Sequence, residues 1–231
     1  MPREPGVPGI GVLVAGFAVG LAATIAVARA VVSHDSDAEA AEAALASIAL
    51  WLGLLGACVF VSRRRGSGSL RRDAAFHFRW IDIPLGLGTS LAGRLLAGAA
   101  AAPIPLPTTR LRDLDDPSLT DPLGGWGWLL LVAVVCIGAP VVEEVFFRGF
   151  LQTRLVGRFG TAVGIGLGSL LFGAAHLIGW DGPLSLANAW AIAGGGLTLG
   201  AARHYSGRLG PAVMGHVFFN VQAVLAIALL R

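Results

Sequence analysis

Seven stretches of this chain, residues 7–32, 43–62, 83–102, 126–147 with an extension beyond, 161–178, 184–202 and 211–230, are apolar enough to be read as membrane-crossing segments. A bilayer core about 30 Å thick is crossed by a helix of about 20 residues. Lipid offers a backbone no water to bond, so such segments must close their own hydrogen bonds as helices. The expected fold is therefore all-α, a polytopic transmembrane helix bundle with about seven spans. Composition agrees, with 55% hydrophobic residues, 13% charged residues and a mean hydropathy of +0.73, all outside the range of an ordinary soluble domain. The third stretch carries Arg94 at its middle, a charge that must be paired within the bundle or reach toward the interface. The first contains small residues at signal-peptidase spacing in Ala-Val-Ala-Arg-Ala, residues 26–30. Its apolar run is longer than a signal peptide's and its preceding segment has only Arg3 against Glu4, so an anchor is expected.

Every one of the 17 basic residues is arginine, and the formal net charge is +3. The arginines are grouped. The segment 62–80 holds Arg63, Arg64, Arg65, Arg71, Arg72 and Arg79, whereas 33–42 holds only acids and 103–125 has Asp113, Asp115, Asp116 and Asp121 against Arg110 and Arg112. Positive charge accumulates on the cytoplasmic side of a membrane protein, which predicts a cytoplasmic arginine-rich loop and two external acidic loops. With seven spans, Arg148, Arg154 and Arg158, then Arg203 and Arg208, also fall on the cytoplasmic side. The amino terminus is then cytoplasmic, the carboxyl terminus external, and the cell inner (cytoplasmic) membrane is the expected location. No basic face is interleaved with aromatic residues, so a nucleic-acid partner is not expected. Cys58 and Cys136 lie alone in apolar runs, without the spacing of a disulfide framework or a thiolate metal site.

Ionisable side chains inside a span cost on the order of 3 kcal/mol each on insertion scales, so each needs a partner or a task. The fourth stretch contains Pro140-Val-Val-Glu143-Glu144-Val-Phe-Phe-Arg148-Gly149. Adjacent helical residues point about 100° apart, so the two glutamates must have different partners. Glu144 and Arg148 are four apart with the acid first, the favourable order for an ion pair, which leaves Glu143 facing elsewhere. Pro140 deprives the carbonyl of Cys136 of its helical donor and predicts a kink just before the glutamates. The fifth stretch contains Phe172-Gly-Ala-Ala-His176 and the seventh His216-Val-Phe-Phe-Asn220, each pair on one helical face. If the fourth and fifth helices form a hairpin turning near residues 157–160, Glu143 and His176 are equidistant from the turn and meet across it. His216 lies close to the start of its own helix, and its depth fits this arrangement less well. Gly196 and Gly200 form a GxxxG spacing, read as close helix packing.

One carboxylate and two histidines are a common catalytic zinc set, which makes Glu143, His176 and His216 candidate metal ligands around an activated water. Without a metal, Glu143 is the general base on a water oriented by His176, while His216 and Asn220 donate to the tetrahedral oxyanion. Either version hydrolyses an amide. No Gly-x-Ser-x-Gly or His-Glu-x-x-His sequence occurs, so serine and zincin mechanisms are not supported.

The three segments, Glu143-Glu144-Val-Phe-Phe-Arg148-Gly149, Phe172-x-x-x-His176 and His216-x-x-x-Asn220, resemble the three motifs of the CPBP family of CAAX-processing and bacteriocin-immunity intramembrane proteases. The resemblance spans residues 126–230. It implies an intramembrane endopeptidase in which Glu143 and His176 activate the water and His216 and Asn220 complete the site, with Glu144 and Arg148 belonging to the same first motif. Both a zinc mechanism, with Zn2+ as cofactor, and a metal-free glutamate-dependent one are proposed for such proteins. Residues 126–231 would form the protease core, with 1–125 accessory helices that include the arginine-rich loop 63–80 and the acidic loop 103–125. The expected partners are membrane lipid and a peptide or membrane-protein substrate; a prenylated CaaX substrate is not assured. Two other readings stay open, a non-catalytic immunity or scaffold protein and a proton-coupled transporter, although no inverted repeat of the kind transporters use is found.

Overall fold

The computed structural model describes residues 8–30, 36–104, 125–177 and 183–229, and among these no strand occurs. The helices are α1 (Pro8–Ala30), α2 (Ser36–Arg65), the short α3 (Leu70–Asp73), α4 (Asp82–Ala101), α5 (residues 125–159), α6 (Thr161–Ala175), α7 (Pro183–Ser206) and α8 (Gly210–Leu229). Apart from α3, each long helix takes up one of the seven apolar stretches. The protein is a helical membrane bundle. The segments Gly9–Ala30, Ala41–Arg65 and Trp126–Phe159 are long and apolar enough to cross a bilayer, and Thr161–Ala175 and Gly210–Ala226 are shorter apolar helices. Most of the acidic segment 103–125 lies outside the described residues. The other acidic segment is partly helical, because α2 already begins at Ser36.

Helix contacts follow from small residues where backbones touch. On α1 and α2, a β-carbon added to Gly53 would stand 2.5 Å from the Cα of Gly20, so only glycine allows this approach. One turn further, Thr24 Oγ1 donates to the carbonyl of Ala46 at 3.0 Å and ties the pair across the seam. Behind them α5 packs along α6 and also touches α2 and α8, while α4 packs against α7 and α8. The buried core is an aromatic cluster on α5 and α6, formed by Phe146, Phe147, Phe150 and Phe172, to which α1 and α2 add Leu13, Leu54 and Cys58.

The centre of α5 departs from α-helical geometry. Residues Val132–Gly138 and Val145–Leu151 are π-helical, and they flank the α-helical turn Ala139–Glu144 that holds both glutamates. A wider, π-helical turn thus directly precedes Pro140, where the sequence predicts a kink. The amide of Ala139 bonds back five residues to the carbonyl of Val134. The next donor in that register is Pro140, which has no N–H. Asn220 on α8 supplies the missing donor, its Nδ2 reaching the Val135 carbonyl at 2.7 Å. π-Helical turns of this kind collect at functional sites.

Arg94 is paired within the bundle, as expected. Its Nε donates to Gln222 Oε1 at 3.1 Å, its Nη2 to the carbonyl of Phe219, and its guanidinium lies 3.9 Å from the centre of the Phe219 ring. The charge clusters gather at one end of the bundle. Thr161, at the start of α6, meets His204 near the end of α7, and Arg208 forms a buried pair with Asp82 at the start of α4.

Candidate active site

The hairpin of α5 and α6 turns at Gly160, whose φ of 81° is in the region that favours glycine. Across it, Glu143 Oε2 lies 3.9 Å from His176 Nε2, as the sequence geometry requires. His176 is not within α6 but just past its end, at φ −92° and ψ 3°. The last carbonyls of a helix lack intrahelical donors, and His176 Nδ1 satisfies that of Phe172 at 2.8 Å. A carbonyl only accepts, so Nδ1 carries the hydrogen and Nε2 turns toward Glu143. A separation of 3.9 Å is too long for a direct hydrogen bond and suits a bridging water. The Oε2 atom of Glu143 is buried and has no hydrogen-bond partner among the described residues.

Glu144 faces the other way, into a buried network. Its Oε1 accepts from Arg148 Nη1 at 2.9 Å and from His216 Nδ1 at 3.0 Å, and all three residues are buried. The depth of His216, near the start of α8, suits Glu144 and not Glu143 as the partner of its Nδ1. The guanidinium of Arg148 also lies 4.0 Å from the centre of the Phe172 ring, and its Nη2 donates to the carbonyl of Gly196 at 3.3 Å. The edge of Phe172 in turn contacts both histidines, with ring centres 4.9 Å from His176 and 5.6 Å from His216. Phe172 thus packs between the two halves of the site.

Two features were not read from the sequence. Gln152, one turn beyond Arg148, donates to the carbonyl of Gly200 at 2.9 Å. The glycines at 196 and 200 therefore do more than permit close packing, since their carbonyls accept from a matching pair of side chains on α5. The matching four-residue spacings, Arg148 with Gln152 and Gly196 with Gly200, were the available signal. The second is the Asp82–Arg208 pair, with Arg208 Nε donating to Asp82 Oδ1 at 3.0 Å; nothing in the spacing of residues 82 and 208 announces it.

A cavity of about 380 Å³ opens over this constellation, lined among others by Glu143, His176, His216 and Asn220, with Arg94 from α4 and Ser47 from α2 on its walls. All four expected chemical residues reach one space. The three candidate zinc ligands do not form a ligand set, for among the described residues no three His, Cys, Asp or Glu side chains are grouped to hold a metal ion. His216 bonds Glu144 through Nδ1, which leaves its Nε2 as the ring nitrogen available to the cavity. No step below passes through a metal.

Residues 125–222 match the family model for Rce1-like proteins, described as type II CAAX prenyl endopeptidase Rce1-like. That region of the chain is similar to the Rce1-like family. The match begins at the first turn of α5 and ends within α8, so it contains all the site residues of the three motifs. No curated protein and no solved structure matches the chain. The match supports a CAAX-type intramembrane protease in general, and the helices before residue 125 stand outside the matched part.

Proposed function

We propose that the protein is an intramembrane endopeptidase that hydrolyses a peptide bond of a membrane-associated protein or peptide with a water held between Glu143 and His176. The observation that carries this reading is the 3.9 Å gap between Glu143 Oε2 and His176 Nε2, whose two acceptor atoms face each other at the wall of a cavity. The water donates one O–H to the Glu143 carboxylate and the other to His176 Nε2, which aims its oxygen lone pair at a substrate carbonyl. Glu143 takes the proton as the oxygen attacks. It later returns that proton to the leaving amine.

The oxyanion needs donors. Asn220 uses one Nδ2 hydrogen on the Val135 carbonyl, and its second is free to donate into the cavity. His216 holds Nδ1–H on Glu144, so its Nε2 donates only when the ring is protonated. Glu144 and Arg148 are accordingly positioning residues. The helices α1, α2 and α4 act as accessory walls, with Ser47 and Arg94 completing the cavity.

The arginine-rich end of the bundle is read as cytoplasmic, with the amino terminus on that side and the carboxyl terminus external. Substrate then enters from the cytoplasmic leaflet of the cell membrane. Reconstitution of the purified chain with membrane-tethered peptides, followed by mass spectrometry of the products, tests this reading. Discrete hydrolytic fragments are expected; intact peptides throughout would leave the immunity or scaffold reading in its place.

A further inference from the structure

A second cavity, of about 400 Å³, lies at the arginine-rich end, away from the catalytic residues. Arg65 from the last turn of α2 and Arg154 and Arg158 from the end of α5 line it, beside the first turn of α1. Asp73 is the acid on its wall, and that carboxylate is already committed, accepting from Ser62 Oγ at 2.5 Å and from the Ser67 amide at 3.0 Å and 3.1 Å. Among the described residues none of the three arginines forms an ion pair. Arg154 uses one Nη1 hydrogen on the carbonyl of Phe150 at 2.8 Å, leaving most of its five donors unused. Three guanidinium groups against one engaged carboxylate leave the cavity strongly cationic.

The floor of this cavity is apolar and continues along the protein. Ile10 and Phe150 line it, and one turn deeper an apolar groove of about 130 Å³ runs on between α1 and α5, lined by Val14, Phe17, Phe146, Phe147, Leu151 and Leu171. From Gly9 to Phe17 the seam extends about 12 Å at 1.5 Å per residue. Val14 is 56% exposed and Leu171 46% exposed, so the groove faces the surroundings of the bundle, which here are lipid.

A cationic cup at the interface joined to an apolar groove has the chemistry that holds a phospholipid. We infer that the cavity formed by Arg65, Arg154 and Arg158 and the α1–α5 groove beneath it bind one anionic phospholipid, with its phosphate among the arginines and an acyl chain along Val14 and Phe17. Basic pockets between helices on the cytoplasmic side are where anionic headgroups are held. The groove distinguishes this ligand from free phosphate, which has no use for it. The bound lipid would join α1 to the catalytic helix α5, which among the described residues share few other polar links.

Thermal unfolding of the full chain in neutral detergent tests the site without reference to activity. Added phosphatidylglycerol is expected to raise the midpoint, and phosphatidylcholine and inorganic phosphate are expected to leave it nearly unchanged. The double variant R154Q/R158Q should weaken the phosphatidylglycerol response about thirtyfold in half-saturating concentration. V14W, which fills the groove and leaves every arginine in place, should also weaken it. R63Q/R64Q removes the same charge from exposed positions outside the cavity and should respond as wild type does. Should R154Q/R158Q fail to fold, R65Q removes an exposed arginine of the same cup. The inference is overturned if phosphatidylcholine works equally, if inorganic phosphate alone gives the full shift, or if R63Q/R64Q loses as much as the cavity variants.

Discussion

Asn220 donates to the carbonyl of Val135, the backbone acceptor that Pro140 leaves without a donor in the π-helical register of α5. One side chain therefore ties α8 to α5 about two turns before Glu143. A buried acceptor without a donor costs about 1–3 kcal/mol, so N220A should lower stability by that order. P140A restores the missing N–H, and in that background N220A should cost about 1 kcal/mol less. A double-mutant cycle on thermal midpoints in detergent measures the coupling, and strict additivity would contradict the compensation.

The buried Glu144–Arg148–His216 network gives a different expectation. Removing one member of a buried ion pair strands the other charge, at a cost on the order of 3–5 kcal/mol. E144A and R148A should each lower the unfolding midpoint sharply, whereas E143Q should barely move it, since Glu143 makes no direct hydrogen bond among the described residues. Two neighbouring glutamates with opposite effects on stability and activity would separate positioning from chemistry. Equal loss of stability in E143Q and E144A would contradict the division.

Gly200 supplies a test of the α5–α7 contact. A β-carbon there would stand 2.6 Å from Gln152 Oε1 and 3.0 Å from Ile165 Cγ2. G200A should displace Gln152 from its carbonyl and cost about 1–3 kcal/mol. At Gly166, by contrast, a β-carbon meets nothing within 4 Å, and G166A should be neutral or slightly stabilising. Comparison of the two midpoints checks the geometry.

Asp73, outside the membrane-spanning helices, gives the pH dependence. Burial alone would raise its carboxyl, but hydrogen bonds from Ser62 and Ser67 outweigh it and hold the group below its ordinary value of 3.8. A carboxyl depressed in the folded state stabilises above its unfolded pKa, and the stabilisation is lost as pH falls through the folded value. The midpoint difference between wild type and D73N should thus be constant at neutral pH and close as pH falls below about 4. A difference that widened on acidification would reverse the sign.

Much of this was legible in the sequence because periodicity and chain geometry are local. The apolar stretches became the helices α1, α2 and α4 to α8, the four-residue spacing of Glu144 and Arg148 became an ion pair, and equal distance from Gly160 brought Glu143 to His176. Other features depend on tertiary choices that spacing does not encode. In the π-helical turn Val132–Gly138 the donor that Pro140 lacks is replaced from α8 by Asn220, and His216 meets Glu144 because of the depth at which α8 enters.

The central claim is that Glu143 and His176 hold the attacking water, and its most direct measurement is kcat/KM for a membrane-tethered peptide with wild type, E143Q and H176A at matched folded fractions. Loss of about 10²–10⁴-fold in E143Q and a large loss in H176A, with unfolding midpoints near that of wild type for E143Q, is the expected result. Cleavage by E143Q at the wild-type rate would contradict the account.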